Sequence, residues 1–196
     1  MVELFIKGGF MMWPILFFFV LGLVISLERL WSLSRASVNK SALSEGGVDA
    51  AKEVCENTRG PLASIFHAGL SRANEGIEAV EKAIANAGSI EMAFLEKGLI
   101  WLSTVVSVAP MLGFTGTVWG MIMAFEDIAK ANDISPTIVA TGISVALLTT
   151  MFGLIVAIII QFFHNYFVSR IDKLIIDMEE GSVELVDTLV NLNKSK

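Results

Sequence analysis

The stretch 113-GFTGTVWGMIMAF-125 decides how the chain is read. It is apolar enough for a lipid bilayer, yet it holds Gly113, Gly116, Gly120, Thr115 and Thr117. A helix that only sits in lipid has no need of so many tiny side chains. Another helix must approach it closely, or something must pass by it.

The uncharged run around this stretch extends from Gly98 to Phe125. A second runs from Ile134 to Phe163, and an earlier one from Phe10 to Leu27, ended by Glu28 and Arg29. A helix crosses the hydrocarbon core with about 20 apolar residues, so all three are candidate spans. The whole chain agrees: 54% of its residues are hydrophobic and 17% charged, the balance expected when lipid is the solvent. The spacing predicts an all-α integral membrane protein with three transmembrane helices and long helical cytoplasmic extensions. Its segments are a periplasmic or interfacial stretch at 1–9, spans at 10–27, 98–125 and 136–163, a cytoplasmic helical region at 28–97, a periplasmic loop at 126–135 and a cytoplasmic C-terminal helix at 164–196.

Charge sets the orientation. Arg29, Arg35, Lys40, Lys52, Arg59, Arg72, Lys82 and Lys97 lie between the first two spans, and Arg170 and Lys173 follow the third. The short connection between the last two spans has Lys130 against Glu126, Asp127 and Asp133. Basic residues beside spans favour the cytoplasm, which puts the N-terminus outside and the C-terminus inside. The N-terminal run also invites a signal-peptide reading, but Lys7 is the only base before it and no small-x-small cleavage site follows.

Other classes find little support. The net charge of −6 offers no basic surface for nucleic acid. Cys55 is the single cysteine, which fits a reducing compartment and permits no internal disulfide. His67 and His164 have no metal-ligand spacing, and no phosphate loop or nucleophile motif is present, so no enzyme activity, metal or cofactor is expected. His164 with Asn165 is the nearest approach to a catalytic pair and fits a membrane interface better, beside Tyr166.

The middle region has a helical pattern. Gly46-Gly47 and Gly60-Pro61 mark breaks, and Ile77, Val80, Ile84 and Ala87 recur at helical spacing. Ile171, Met178, Leu185 and Leu192 recur at heptad spacing, joined by Leu174 and Leu189. That stripe suits either a bundle with other chains or a helix folded back on its own chain.

Small residues form one face of each later span. In the second they are Ala109, Gly113, Gly116, Thr117, Gly120 and Ala124; in the third, Gly142, Ala146, Thr150, Gly153 and Ala157. Such faces serve close helix packing, or they line a shared interior where hydroxyls meet water, an ion or a partner helix. Thr141, Ser144 and Thr149 are expected to point away from the small face. Neither span holds an Asp, Glu, Lys or Arg, so a chain handling ions would need its intramembrane carboxylate from another subunit.

Two segments, 109-APMLGFTGTVWGMIMAF-125 and 142-GISVALLTTMFGLIVAI-158, closely resemble the paired motifs of the MotA/TolQ/ExbB family. GGFMMWPI at 8–15 and Glu28-Arg29 resemble the start of its ExbB and TolQ members, and the likeness covers nearly the whole chain. The resemblance implies a homopentamer in the bacterial inner membrane whose second and third spans line a pore. A dimer of an ExbD/TolR-like single-span partner would thread that pore and supply the aspartate. Ion flow would then drive work on a TonB-like or TolA-like protein. The residues it implies for the ion pathway are Thr117, Thr150, Thr149, Gly113, Gly116, Gly120, Ala146 and Gly153, with Pro110 as the motif proline and a kink.

One departure matters. The family often has a glutamate where this chain has Val145, so a glutamate-assisted proton route does not carry over. Thr117, Thr149 and Thr150 together resemble sodium-driven stators, because hydroxyl oxygens can replace a cation's hydration shell. Protons remain favoured over sodium. Three spans and a short chain favour the ExbB/TolQ-like branch over a flagellar, MotA-like role. A non-conducting membrane scaffold is the rival from another class.

Overall fold

The computed structural model describes residues 2–35, 55, 60–131 and 135–194. Among them there is no strand. The helices are α1 (Val2–Lys7), α2 (Met12–Arg35), α3 (Pro61–Ser71), α4 (Ile77–Glu96), α5 (Leu99–Ala131) and α6 (Pro136–Lys194), with a 3-10 turn at Ala73–Glu75. Among the described residues, three helical stretches are long and apolar enough to cross a membrane.

Proline and glycine set the boundaries. Pro61 and Pro136 open α3 and α6, where a missing N–H costs nothing. Gly76 (φ 103°) and Gly98 (φ 91°) hold left-handed backbone before α4 and α5, a region other side chains resist. The Gly60-Pro61 break falls where the spacing puts it, whereas Gly46-Gly47 lies outside the described residues. The connection expected at 126–135 is partly helix, because α5 runs on to Ala131. Lys130 reaches both Glu126 and Asp127 at 3.8 Å, pairs that support a last helical turn. Pro110 does not end α5.

The chain divides into two compact units, one of Met1–Glu28 with Gly98–Tyr166, the other of Arg29–Lys97 with Phe167–Lys196. In the second, α3 and α4 pack with the C-terminal part of α6. Leu62, Ile65, Phe66, Leu70, Val80 and Ile84 are buried, as are Ile171 and Met178 of the heptad stripe. A Cβ on Gly181 would meet Leu62 Cδ1 at 2.7 Å and Phe66 Cζ at 3.2 Å, so α6 lies directly on α3. One on Gly69 would meet Ile84 Cγ1 at 2.9 Å and Leu185 Cδ2 at 3.2 Å. From Ile171 to Leu185 the stripe is therefore covered by its own chain. Cys55 is buried too, and burial pushes its thiol pKa up.

Gly88 is the exception in this unit. It sits inside α4, and an added Cβ would find only Ile65 Cδ1, at 3.9 Å. Nothing requires glycine there, and its backbone freedom weakens the helix. Gly88→Ala is expected to stabilise the unit by about 1 kcal/mol, seen as a higher thermal midpoint in detergent. An unchanged or lower midpoint would contradict this account of α4.

Candidate functional site

In the first unit α5 and α6 pack antiparallel through their small faces. A Cβ on Gly113 would lie 3.0 Å from the Thr149 carbonyl oxygen and 3.1 Å from Thr150 Cα. On Gly120 it would lie 3.0 Å from the Ala146 nitrogen and from the Gly142 carbonyl oxygen. On Gly153 it would lie 2.6 Å from the Ala109 carbonyl oxygen. The two backbones touch, which is what small residues at a membrane-helix contact permit. Gly113, Gly116, Gly120, Ala146 and Gly153 are all buried in this seam.

Thr149 corrects the expectation that it points away from the small face. It is fully buried, and a Cβ on Gly116 would come within 2.5 Å of Thr149 Cβ. Its hydroxyl donates to the Ala146 carbonyl at 2.9 Å and the Val145 carbonyl at 3.2 Å. A threonine fits the seam because glycine faces it and because its helix absorbs the hydroxyl. Thr141 and Ser144 do lie off the seam, exposed.

Thr117 and Thr150 are half-buried at one edge of the seam. Thr117 Oγ1 donates to the Phe114 carbonyl at 2.6 Å. Thr150 Oγ1 lies 3.3 Å from the carbonyls of Gly113 and Ala146, one on each helix. Both hydroxyls are donors within the protein, and both keep lone pairs that can accept from water or meet a cation.

The other edge is covered by α2. A Cβ on Gly22 would lie 2.8 Å from Ile160 Cδ1 and 3.4 Å from Val105 Cγ1, and one on Gly9 would lie 3.8 Å from Val145 Cγ1. At 100° per residue, Val105 and Val145 fall on the side of the seam opposite Thr117 and Thr150. α2 thus closes one flank of the helix pair, and the flank with Thr117 and Thr150 stays open. Exposed Phe114 and Leu147, at 68% and 65%, lie on that open flank.

Val145 lines a groove of about 200 Å³ with Gly120, Ala124, Asp127, Thr137 and Thr141. An acid therefore lines the groove although position 145 has none. The spacing of the small residues did not flag Asp127, which sits in the turn that had been expected to be loop.

The sequence profile of the MotA/TolQ/ExbB proton channel family matches residues 57–180, which take in the seam and the open flank. The chain belongs to this family. It is 32% identical over 97% of its length to a putative biopolymer transport protein ExbB homolog of Methanothermobacter thermautotrophicus, covering 69% of that protein. It is 38% identical over 50% of its length to the Tol-Pal system protein TolQ of Pseudomonas aeruginosa, covering 43% of it. The biopolymer transport protein ExbB of Salmonella typhimurium matches at 34% over 52% of this chain and 42% of its own. The chain thus spans under half of those last two relatives. As a family member it is a membrane protein of the ExbB/TolQ kind. The family's small-residue motifs have, in this chain, the immediate task of holding α5 and α6 in backbone contact.

Proposed function

We propose that this chain is the wall subunit of an ion-driven motor in the bacterial inner membrane, multi-pass with its N-terminus outside. Five copies surround an axis and turn the open flank of α5 and α6 toward it. A dimer of an ExbD/TolR-like single-span protein occupies the axis and brings the carboxylate. Proton flow through this assembly energises a TonB-like or TolA-like protein.

The open flank carries this reading. The side that α2 leaves bare holds the half-buried hydroxyls of Thr117 and Thr150 at the edge of the glycine seam, and Thr150 lies within reach of carbonyls on both helices. Two threonines there, with no ionisable residue in either span, suit a wall whose acid comes from a partner. The burial of Thr149 supports protons over sodium. At the level of the seam it leaves the flank two threonine hydroxyls rather than three, and a dehydrated sodium ion needs several oxygen ligands.

The test is ion flux in liposomes that hold the full chain with its co-encoded single-span partner, under separate proton and sodium gradients. Proton flux without sodium is expected, and Thr150→Val should lower it at least about tenfold with the complex intact. Flux that requires sodium would move the chain to the sodium-driven branch. No flux from an intact complex would leave the scaffold in possession.

A further inference from the structure

The open flank does not stop at its two threonines. On α5, Ser103, Ser107, Pro110, Phe114 and Thr117 follow one another at steps of three and four, a single continuous row. On α6, Leu147, Thr150, Leu154, Ile158, Gln161 and Asn165 do the same. The antiparallel register is fixed by Ala109 against Gly153 and Gly120 against Gly142, and by Gly22 touching both Val105 and Ile160. Continued along the pair, that register puts Ser103 level with Gln161. By helix rise, this level lies about 21 Å along α5 from Thr117 and about 16 Å along α6 from Thr150, toward the start of α5 that follows Lys97 and the part of α6 that leads to Arg170.

We infer that Ser103, Ser107 and Gln161 form a water-filled mouth on the open flank, through which the transported ion reaches the cytoplasmic side. The inference rests on the proposed pore-facing role of that flank. Gln161 stands within an uncharged run, where a side-chain amide facing hydrocarbon is costly. It is held toward the charged end of α6, its Nε2 donating to Asn165 Oδ1 at 2.7 Å. Ser103 and Ser107 are exposed, and Ser107 donates to the Ser103 carbonyl at 3.1 Å, which leaves hydroxyl lone pairs outward. Pro110, one step above Ser107, has no N–H for the Val106 carbonyl, so α5 offers that oxygen to water between the threonines and the mouth. Close by, His164 Nδ1 is buried and has no hydrogen-bond partner among the described residues, as is expected where water completes a polar site.

Single-cysteine labelling tests this without depending on conduction. In a Cys55→Ser background, the full chain and its partner are placed in membrane vesicles with the cytoplasmic side out. Ser103→Cys, Ser107→Cys and Gln161→Cys are treated with a membrane-impermeant cationic methanethiosulfonate, beside Thr104→Cys and Thr115→Cys, which stand off the row. The mouth residues are expected to react at least about tenfold faster. Equal rates, or faster labelling at 104 and 115, would overturn the mouth. The same pattern in a complex that conducts nothing would support a wet flank while sinking the conduction reading of the assembly. In a conducting complex, Gln161→Leu should reduce proton flux severalfold. Unchanged flux would remove Gln161 from the path.

Discussion

Gly153→Ala is expected to cost about 3 kcal/mol of stability, the upper end for overpacking, and to abolish a properly assembled complex. The added Cβ would stand 2.6 Å from the Ala109 carbonyl oxygen, 3.1 Å from Gly113 Cα and 3.2 Å from the Gly113 nitrogen. All three are backbone atoms of a continuous helix, so no rotamer change can relieve the contact. The pair can respond only by separating α5 from α6 along the seam. That would open the contacts at Gly116 and Gly120 as well, and with them the burial of Thr149. Thermal unfolding in detergent and the yield of complex with the partner are the readouts. The comparison with Thr150→Val separates packing from conduction, since that variant should assemble and conduct at least about tenfold less. A Gly153→Ala protein with wild-type stability would mean that the seam is not closed at this level.

The three long apolar helices, their small faces and the family were legible in the sequence because each depends on local residue type. Charge-free runs mark what lipid accepts, and glycine at steps of three and four marks where backbones meet. The division of labour between the small residues was not legible. Thr149 and Thr150 are neighbours of the same type, yet one is fully buried against Gly116 and the other stands at the seam's edge. Which of them faces outward depends on the rotation of α6 against α5, a tertiary quantity that spacing within one helix does not carry. The same holds for the flank covered by α2. Nothing in residues 10–27 says which side of a later helix pair they will close, until Gly22 is found against Val105 and Ile160. The heptad stripe was open for a related reason, since its period fits a partner chain as well as it fits α3. The end of α5 was missed because acids and a lysine read equally well as a loop or as a paired last turn.

Arg29 is the residue where a charge reading of the sequence understates the role. As part of the flanking basic set it only helps to orient the first span, and Arg29→Ala would then change little. In the second unit it is 4% exposed, and its Nη1 donates to the carbonyls of Phe94 and Leu95, both at 3.4 Å. Those carbonyls belong to the last turn of α4, which ends at Glu96, where helix oxygens run short of internal donors; the Phe94 carbonyl also accepts from the Lys97 N–H at 3.3 Å. A guanidinium at that end gives the Leu95 carbonyl a donor and the Phe94 carbonyl a second one, and it complements the helix dipole. Arg29→Ala removes the donor and leaves a buried void, and is expected to destabilise the unit by about 3 kcal/mol. Arg29→Lys keeps the charge but loses the planar fork, so about half of that loss should remain. Hydrogen exchange of the amides in the last turn of α4 tests the local account, since they should open faster in Arg29→Ala while those around Val80 respond less. If both variants unfold at the wild-type midpoint, Arg29 only sets orientation. If Lys behaves as wild type and Ala does not, charge alone holds the end of α4, and the paired carbonyl contacts contribute little.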